Sequence, residues 1–226
     1  MKKNVKLKVA VIVAHPDDET LWAGGTLLYN ANWDIYIASL CRANDKDRAP
    51  KFYKALTQLY AKGIMGNLDD EPKQEPLQSN LVQQSILRLL PIEHFDLIIT
   101  HNPLGEYTRH LRHEEISKAV INLWTKGKIS TDTLWVFAYD DGQKTYLPQP
   151  LENAAIILPL SNDIWLKKYE IITKTYGFEP ESWEAKTTPK SESFFQFTEA
   201  RIAKEWMDKL LKKTNSKEKN ESTSTI

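Results

Sequence analysis

Cysteine is almost missing from this chain: Cys41 is the only one among 226 residues. An internal disulfide is therefore impossible, and a metal site built on several thiolates is excluded. Any bound metal must be held by His, Asp or Glu. A surplus of one charge is also lacking. Thirty Lys and Arg balance thirty Asp and Glu, so nothing in the charge points to a nucleic-acid or membrane partner. No apolar stretch is long enough to span a bilayer. The run Val9–Ala14 behind the basic start is short and leads straight into His-Pro-Asp-Asp-Glu. It reads as a buried strand and not as an export signal, so a reduced, cytoplasmic protein is expected. Internal repeats are absent, as is any linker long enough to divide the chain.

Seven tryptophans, nine tyrosines and seven phenylalanines provide for both a core and a substrate cleft. Residues 8–14 (KVAVIVA) are β-branched and almost continuously apolar, as a central parallel strand requires. Acidic residues at 17–19 then stand where a helix dipole favours them, with Leu21, Trp22, Leu27 and Leu28 at helical spacing behind. Gly24 and Gly25 inside that helix predict close packing on a neighbouring backbone. A strand over 33–41, a helix from Pro50, a short strand at 64–65 and a polar loop over 67–78 follow. Next come a helix over 81–90, a strand over 95–100, a helix over 111–125 and a strand over 133–138. This alternation predicts an α/β fold, a Rossmann-like three-layer sandwich around a mostly parallel sheet. The last third is less regular. An apolar segment at 156–159, a helix over 163–173, a loop over 187–193 and a helix over 198–212 are expected. The final residues have almost no apolar content and should be disordered.

In an open parallel sheet, ligands bind beyond the carboxyl ends of the strands. His15-Pro16-Asp17-Asp18-Glu19 follows the first strand, His101 follows FDLIIT, and His110 and His113 lie just beyond. Four of the five histidines thus fall at one edge of the sheet, whereas His94 begins a strand elsewhere and reads as structural. Asp-Asp-Glu alone would be a plain helix start. The added His15, three residues before Asp18 with Pro16 stiffening the turn, tips the balance towards chemistry. Neighbouring side chains in a turn diverge, so one aspartate can serve a metal and the other a water. A third ligand from far along the chain is the usual build of a catalytic zinc site, which leaves a position for water.

AHPDDE after an apolar strand, with a later GEYTRHLRHEE, resembles the LmbE/PIG-L family of zinc-dependent de-N-acetylases. The resemblance covers the two motifs and the α/β order of about residues 7–140. It implies one deacetylase domain over residues 1–213, with 214–226 as a disordered tail. It implies zinc held by His15, Asp18 and His113, with Asp17 as general base. His110 would stabilise the oxyanion or protonate the leaving group. One departure stands out: the family's second motif commonly reads His-Pro-Asp-His, and here it is His110-Leu111-Arg112-His113. A cation beside His110 disfavours imidazolium. Either another carboxylate (Glu106, Glu114 or Asp140) takes over, or His110 works as a neutral donor. Arg112 is expected at the rim of the cleft or on substrate.

Arg42 and Arg48 follow the second strand and are candidates for binding a hydroxyl or anionic group, against the plain alternative of a solvated loop. His101 and Tyr107 are further candidates for substrate contact. Asp69-Asp70-Glu71 reads as an exposed acidic loop. The expected activity is removal of an acetyl group from an N-acetylated sugar or sugar conjugate. Other readings are a zinc amidase on another small amide, such as a cysteinyl-sugar conjugate, or a non-catalytic binding protein of the same fold. A dinucleotide-binding dehydrogenase is disfavoured, because carboxylates stand where a Gly-rich turn would meet pyrophosphate. The expected partner is a small N-acetylated molecule, and a homo-oligomer is compatible with the sequence.

Overall fold

The alternation of apolar residues along the first strand decides the layering. In the computed structural model, which describes residues 6–71, 73, 75–108 and 110–223, β1 (Lys8–Val13) lies at the centre of a seven-stranded sheet. Successive side chains of a strand point to opposite faces. Ala10, Ile12 and Ala14 accordingly enter one core, and Val9, Val11 and Val13 the other. Burial on both faces is why this strand tolerates no polar position after Lys8.

The chain then runs through α1 (Asp18–Tyr29), β2 (Asp34–Cys41), α2 (Arg48–Gln58), β3 (Ala61–Leu68), α3 (Ser79–Leu89), β4 (His94–Thr100), α4 (Leu111–Thr125) and β5 (Ser130–Phe137). A two-stranded ribbon of β6 (Tyr139–Asp140) and β7 (Gln149–Pro150) follows, then β8 (Ile156–Pro159), α5 (Asn162–Glu170) and a π-helical turn, Ile171–Thr175. The last elements are α6 (Trp183–Thr187), β9 (Ser191–Phe197) and α7 (Ala200–Thr223). Sheet order is β3-β2-β1-β4-β5-β9-β8. The first five strands are parallel, β9 is antiparallel to β5, and β8 is antiparallel to β9. Strand order reverses between β1 and β4, and at such a switch point the loops diverge and leave a crevice. No helix among the described residues is long and apolar enough to cross a membrane.

Several expectations are corrected. The segment read as a loop over 187–193 contains the start of β9, whose SESFFQF pattern pairs with Phe137 and Val136 of β5. The third strand extends well beyond Ile64–Met65 because its backbone pairs with β2 along most of its length. Helix α7 continues to Thr223, past both the expected end at 212 and the expected onset of disorder. Adding a residue to an existing helix costs little, and the hydroxyls of Thr214 and Ser216 bond back to the carbonyls of Leu210 and Lys212. Residues 224–226 of the expected tail lie outside the described residues.

Gly25 meets a side chain where a neighbouring backbone was expected. A Cβ there would lie 2.4 Å from Leu160 Cδ2, and its N–H donates to the buried Glu192 carboxylate at 2.7 Å. That carboxylate also accepts from Thr26 and from Lys168 Nζ. It pins α1, which carries the acidic motif, to β9 and α5.

Candidate metal centre

The backbone of the HPDDE turn is forced into an unusual shape. Asp17 has φ of 134°, a region that L-residues rarely adopt and that costs about 1–3 kcal/mol. Its N–H is held by Glu19 Oε2 at 3.1 Å, while its carbonyl receives the first helical bonds of α1 from Thr20 and Leu21. The result is that adjacent carboxylates face different neighbours. Asp17 Oδ2 accepts from Arg48 Nη1 at 3.2 Å. Asp18 Oδ2 accepts from the His15 backbone N–H at 2.8 Å and lies 3.1 Å from His15 Nδ1.

His113, on the first turn of α4, completes a three-atom cluster. Its Nε2 lies 3.3 Å from His15 Nδ1 and 3.3 Å from Asp18 Oδ2. A tetrahedral zinc ion with ligands near 2.0–2.1 Å has ligand edges of about 3.3 Å. The three donors expected from the sequence therefore stand at the mutual spacing such an ion needs. Two further groupings overlap this one: His15, His110 and His113, and Asp18, His101 and His113.

Carboxylates back both histidines. Glu106, wholly buried, accepts from His113 Nδ1 at 2.6 Å and from His101 Nδ1 at 3.0 Å. Asp70 Oδ1 lies 3.0 Å from His15 Nε2, and its second oxygen accepts from Arg42. Such partners fix ring orientation and raise ligand basicity. Burial pulls the His15 pKa down, but hydrogen bonds to Asp18 and Asp70 outweigh it and raise it to about 8. The two aspartates part ways. Burial, then the neighbouring Asp18, push the Asp17 carboxyl well above the usual range. Burial would raise Asp18 too, but His113 and His101 hold it well below. One carboxyl is thereby suited to carry a proton and the other to remain an anion.

His110 sits over this cluster, stacked on His113 with ring centroids 4.2 Å apart. Its Nδ1 is buried with no hydrogen-bond partner among the described residues. Burial, then the His113 and His15 charges, lower its pKa to about 2, so the ring is neutral. None of the three carboxylates considered from sequence takes the missing aspartate's place. Glu106 serves His101 and His113, Glu114 pairs with Lys118 at 3.0 Å, and Asp140 accepts from Tyr146.

The crevice in front of these groups is a cavity of 730 Å³, with Arg42, Arg48, Tyr107 and His110 among its lining residues. Two expectations fail here. Arg112 is fully buried and does not reach substrate. Its guanidinium donates to the Asp69 and Glu75 carbonyls, the Asp69 carboxylate and, at 2.7 Å, Glu115, so it clamps the loop after β3 onto α4. His101 is likewise buried behind the cluster. Its Nε2 accepts from the Ala14 N–H at 2.9 Å, which ties the end of β1 to β4. Asp70 was missed because an acidic triplet between prolines reads as solvated loop. Only the three-dimensional return of β3 beside β2 brings it to His15. His94, as expected, is remote, lying near Ser130 and Asp132.

No family model matches this chain. An uncharacterised protein of Acanthamoeba polyphaga mimivirus is 22% identical over 195 residues, 79% of this chain and 80% of that one. Among solved structures, N,N'-diacetylchitobiose deacetylase from Pyrococcus horikoshii aligns with a TM-score of 0.62 at 16% identity, covering 84% of each chain. The 4-carboxy-2-hydroxymuconate hydratase of Pseudomonas putida aligns at 0.56 and 15%, covering 84% of this chain and 95% of that one. The zinc-inhibited form of teicoplanin deacetylase aligns at 0.59 and 12%, covering 84% and 97%. At these identities the likeness establishes the fold, one that deacetylases share with a hydratase.

Proposed function

We propose that this protein is a metal-dependent amide hydrolase of the LmbE/PIG-L type that removes an acetyl group from an N-acetylated sugar or sugar conjugate. The observation that carries the proposal is the mutual 3.1–3.3 Å spacing of His15 Nδ1, Asp18 Oδ2 and His113 Nε2, with Asp17 turned aside from them. Two imidazoles and one carboxylate suit zinc. Bound there, the ion would supply a Lewis acid that activates water and polarises the amide carbonyl. Asp17, its pKa raised by burial, takes a proton from the attacking water. Arg48 holds the Asp17 carboxylate in place. His110 is neutral and gives a hydrogen bond to the oxygen that gains charge. The acyl carbon gains the water's hydroxyl as the C–N bond breaks, and the amine leaves with the proton collected by Asp17. Acetate and a free amine are the products.

Likeness to deacetylases in fold supports this reading, and likeness to a hydratase means that the reaction must be tested directly. Purified protein should contain about one zinc per chain and release acetate from one or more of a panel of N-acetyl sugars. Stoichiometric metal with no acetate from any of them, together with hydration of an unsaturated dicarboxylate, would overturn the assignment.

A further inference from the structure

The cavity in front of the metal-type donors holds more negative charge than its cations match. Seven of its lining residues are carboxylates and only two are guanidiniums. Neither guanidinium is free. Arg48 is on Asp17 at 3.2 Å, and Arg42 bridges Asp70 at 2.8 Å and Asp45 at 3.4 Å. Asp69 is answered from behind by Arg112 at 3.3 Å, and a divalent ion would answer Asp18. Glu71 and Glu184 remain. Each lines the cavity, and neither has a cation at ion-pair distance among the described residues. They stand on separate elements, the loop after β3 and helix α6. Trp183 stands next to Glu184, edge-on to Tyr107 with centroids 4.6 Å apart, and adds an aromatic wall that suits a sugar ring or an ammonium.

We infer that the substrate of this site is an amino sugar that keeps a second, free ammonium group, read by the uncompensated carboxylates of Glu71 and Glu184. The inference rests on the amide-hydrolase proposal for its chemistry, but not for its charge preference. An anionic substrate is disfavoured for the same reason: both arginines that might greet it are already held by aspartates, and a field lined by one sign of charge repels its like.

The test compares metal-loaded protein on three substrates: N-acetylglucosaminyl-glucosamine, neutral di-N-acetylchitobiose and N-acetylglucosamine 6-phosphate. The cationic substrate is expected to exceed the neutral one in kcat/KM by on the order of tenfold, as two partly exposed charge pairs supply. The phosphate should be poorest. The cationic-to-neutral ratio should shrink towards one in E71Q/E184Q and in about 0.5 M salt. A second arm needs no turnover: calorimetric binding of the fully deacetylated disaccharide against glucosamine 6-phosphate, in wild type and E71Q/E184Q. Equal or better use of the phosphate, or a cation preference untouched by the double substitution, overturns the inference. Preferential, carboxylate-dependent binding of the diamine without acetate release from any substrate would uphold it and defeat the hydrolase proposal instead.

Discussion

Asp70 stands 3.0 Å from Nε2 of His15, on the ring edge opposite the one that faces Asp18 and His113. The imidazole is thus held between a carboxylate that accepts its outer N–H and a cluster that uses its inner nitrogen. Partners in this position typically govern metal affinity by 10–100-fold. Replacing Asp70 with Ala should weaken zinc binding by about that factor, measured by competition with a chelator. Asp70→Asn, which keeps an acceptor, should lose less. Equal affinity in wild type and Asp70→Ala would remove Asp70 from the support of the site.

Arg112 sets the loop that carries Asp70. Its five-donor fork is satisfied by two backbone carbonyls and two carboxylates, all out of solvent's reach on its own side. Removing one partner of a buried charge network costs roughly 3–5 kcal/mol. Arg112→Ala should therefore lower Tm by several degrees and weaken metal binding along with it, since Asp70 moves with Asp69. A variant with native Tm and only a raised KM would mean that the guanidinium works in the cavity after all.

How far the sequence foretold this site follows from what each residue needs to be recognised. His15, Asp18 and His113 are legible because AHPDDE fixes two ligands within one turn, and because the switch-point rule puts β1 and β4 at one crevice. Helix α4 was placed at its observed bounds by its apolar period. Asp70, Glu106 and the burial of Arg112 were not legible in this way. Each depends on which loop returns to which neighbour, and no local pattern encodes that. Arg112 lies off the His113 direction of its helix, as expected, but the surface it meets is the loop after β3 and not water. Strand β9 was lost for a related reason: it is short, amphipathic and preceded by proline, and its partner β5 lies far back in the chain.

The raised pKa of His15 gives a pH dependence whose sign depends on the metal. A group whose folded pKa, about 8, exceeds its unfolded value of 6.5 stabilises the fold fully below the unfolded value. That contribution is lost as pH rises through the folded value. Metal-free protein should therefore lose stability from pH 6.5 towards 8 and beyond. A bound cation takes the place of the proton, and protons then compete with it. Metal-saturated protein should show no such fall, and its apparent metal affinity should climb over the same window. Thermal unfolding of both forms across this range checks the sign. A fall of equal size in the two forms would separate His15 from the metal.

The final expectation concerns the two aspartates that the strained turn sends in different directions. Asp18 Oδ2 shares the ligand cluster with both imidazoles, so Asp18→Ala leaves two histidines facing one another, too few to hold a divalent ion tightly. Zinc content should drop to a small fraction of one per chain. Asp17 contributes no atom to that cluster. Its carboxylate faces Arg48, and burial favours its protonated form. Asp17→Asn preserves the size and most of the hydrogen bonding of the side chain while abolishing its ability to take a proton. The metal should remain, and kcat should fall by about 100-fold or more, the usual worth of a positioned base. Its pH profile should also lose the acid limb that Asp17 imposes on the wild type. Metal analysis and kcat measured on the same preparations decide the matter. If both variants lose metal to the same extent, the opposite pKa directions of the pair do not reflect separate duties.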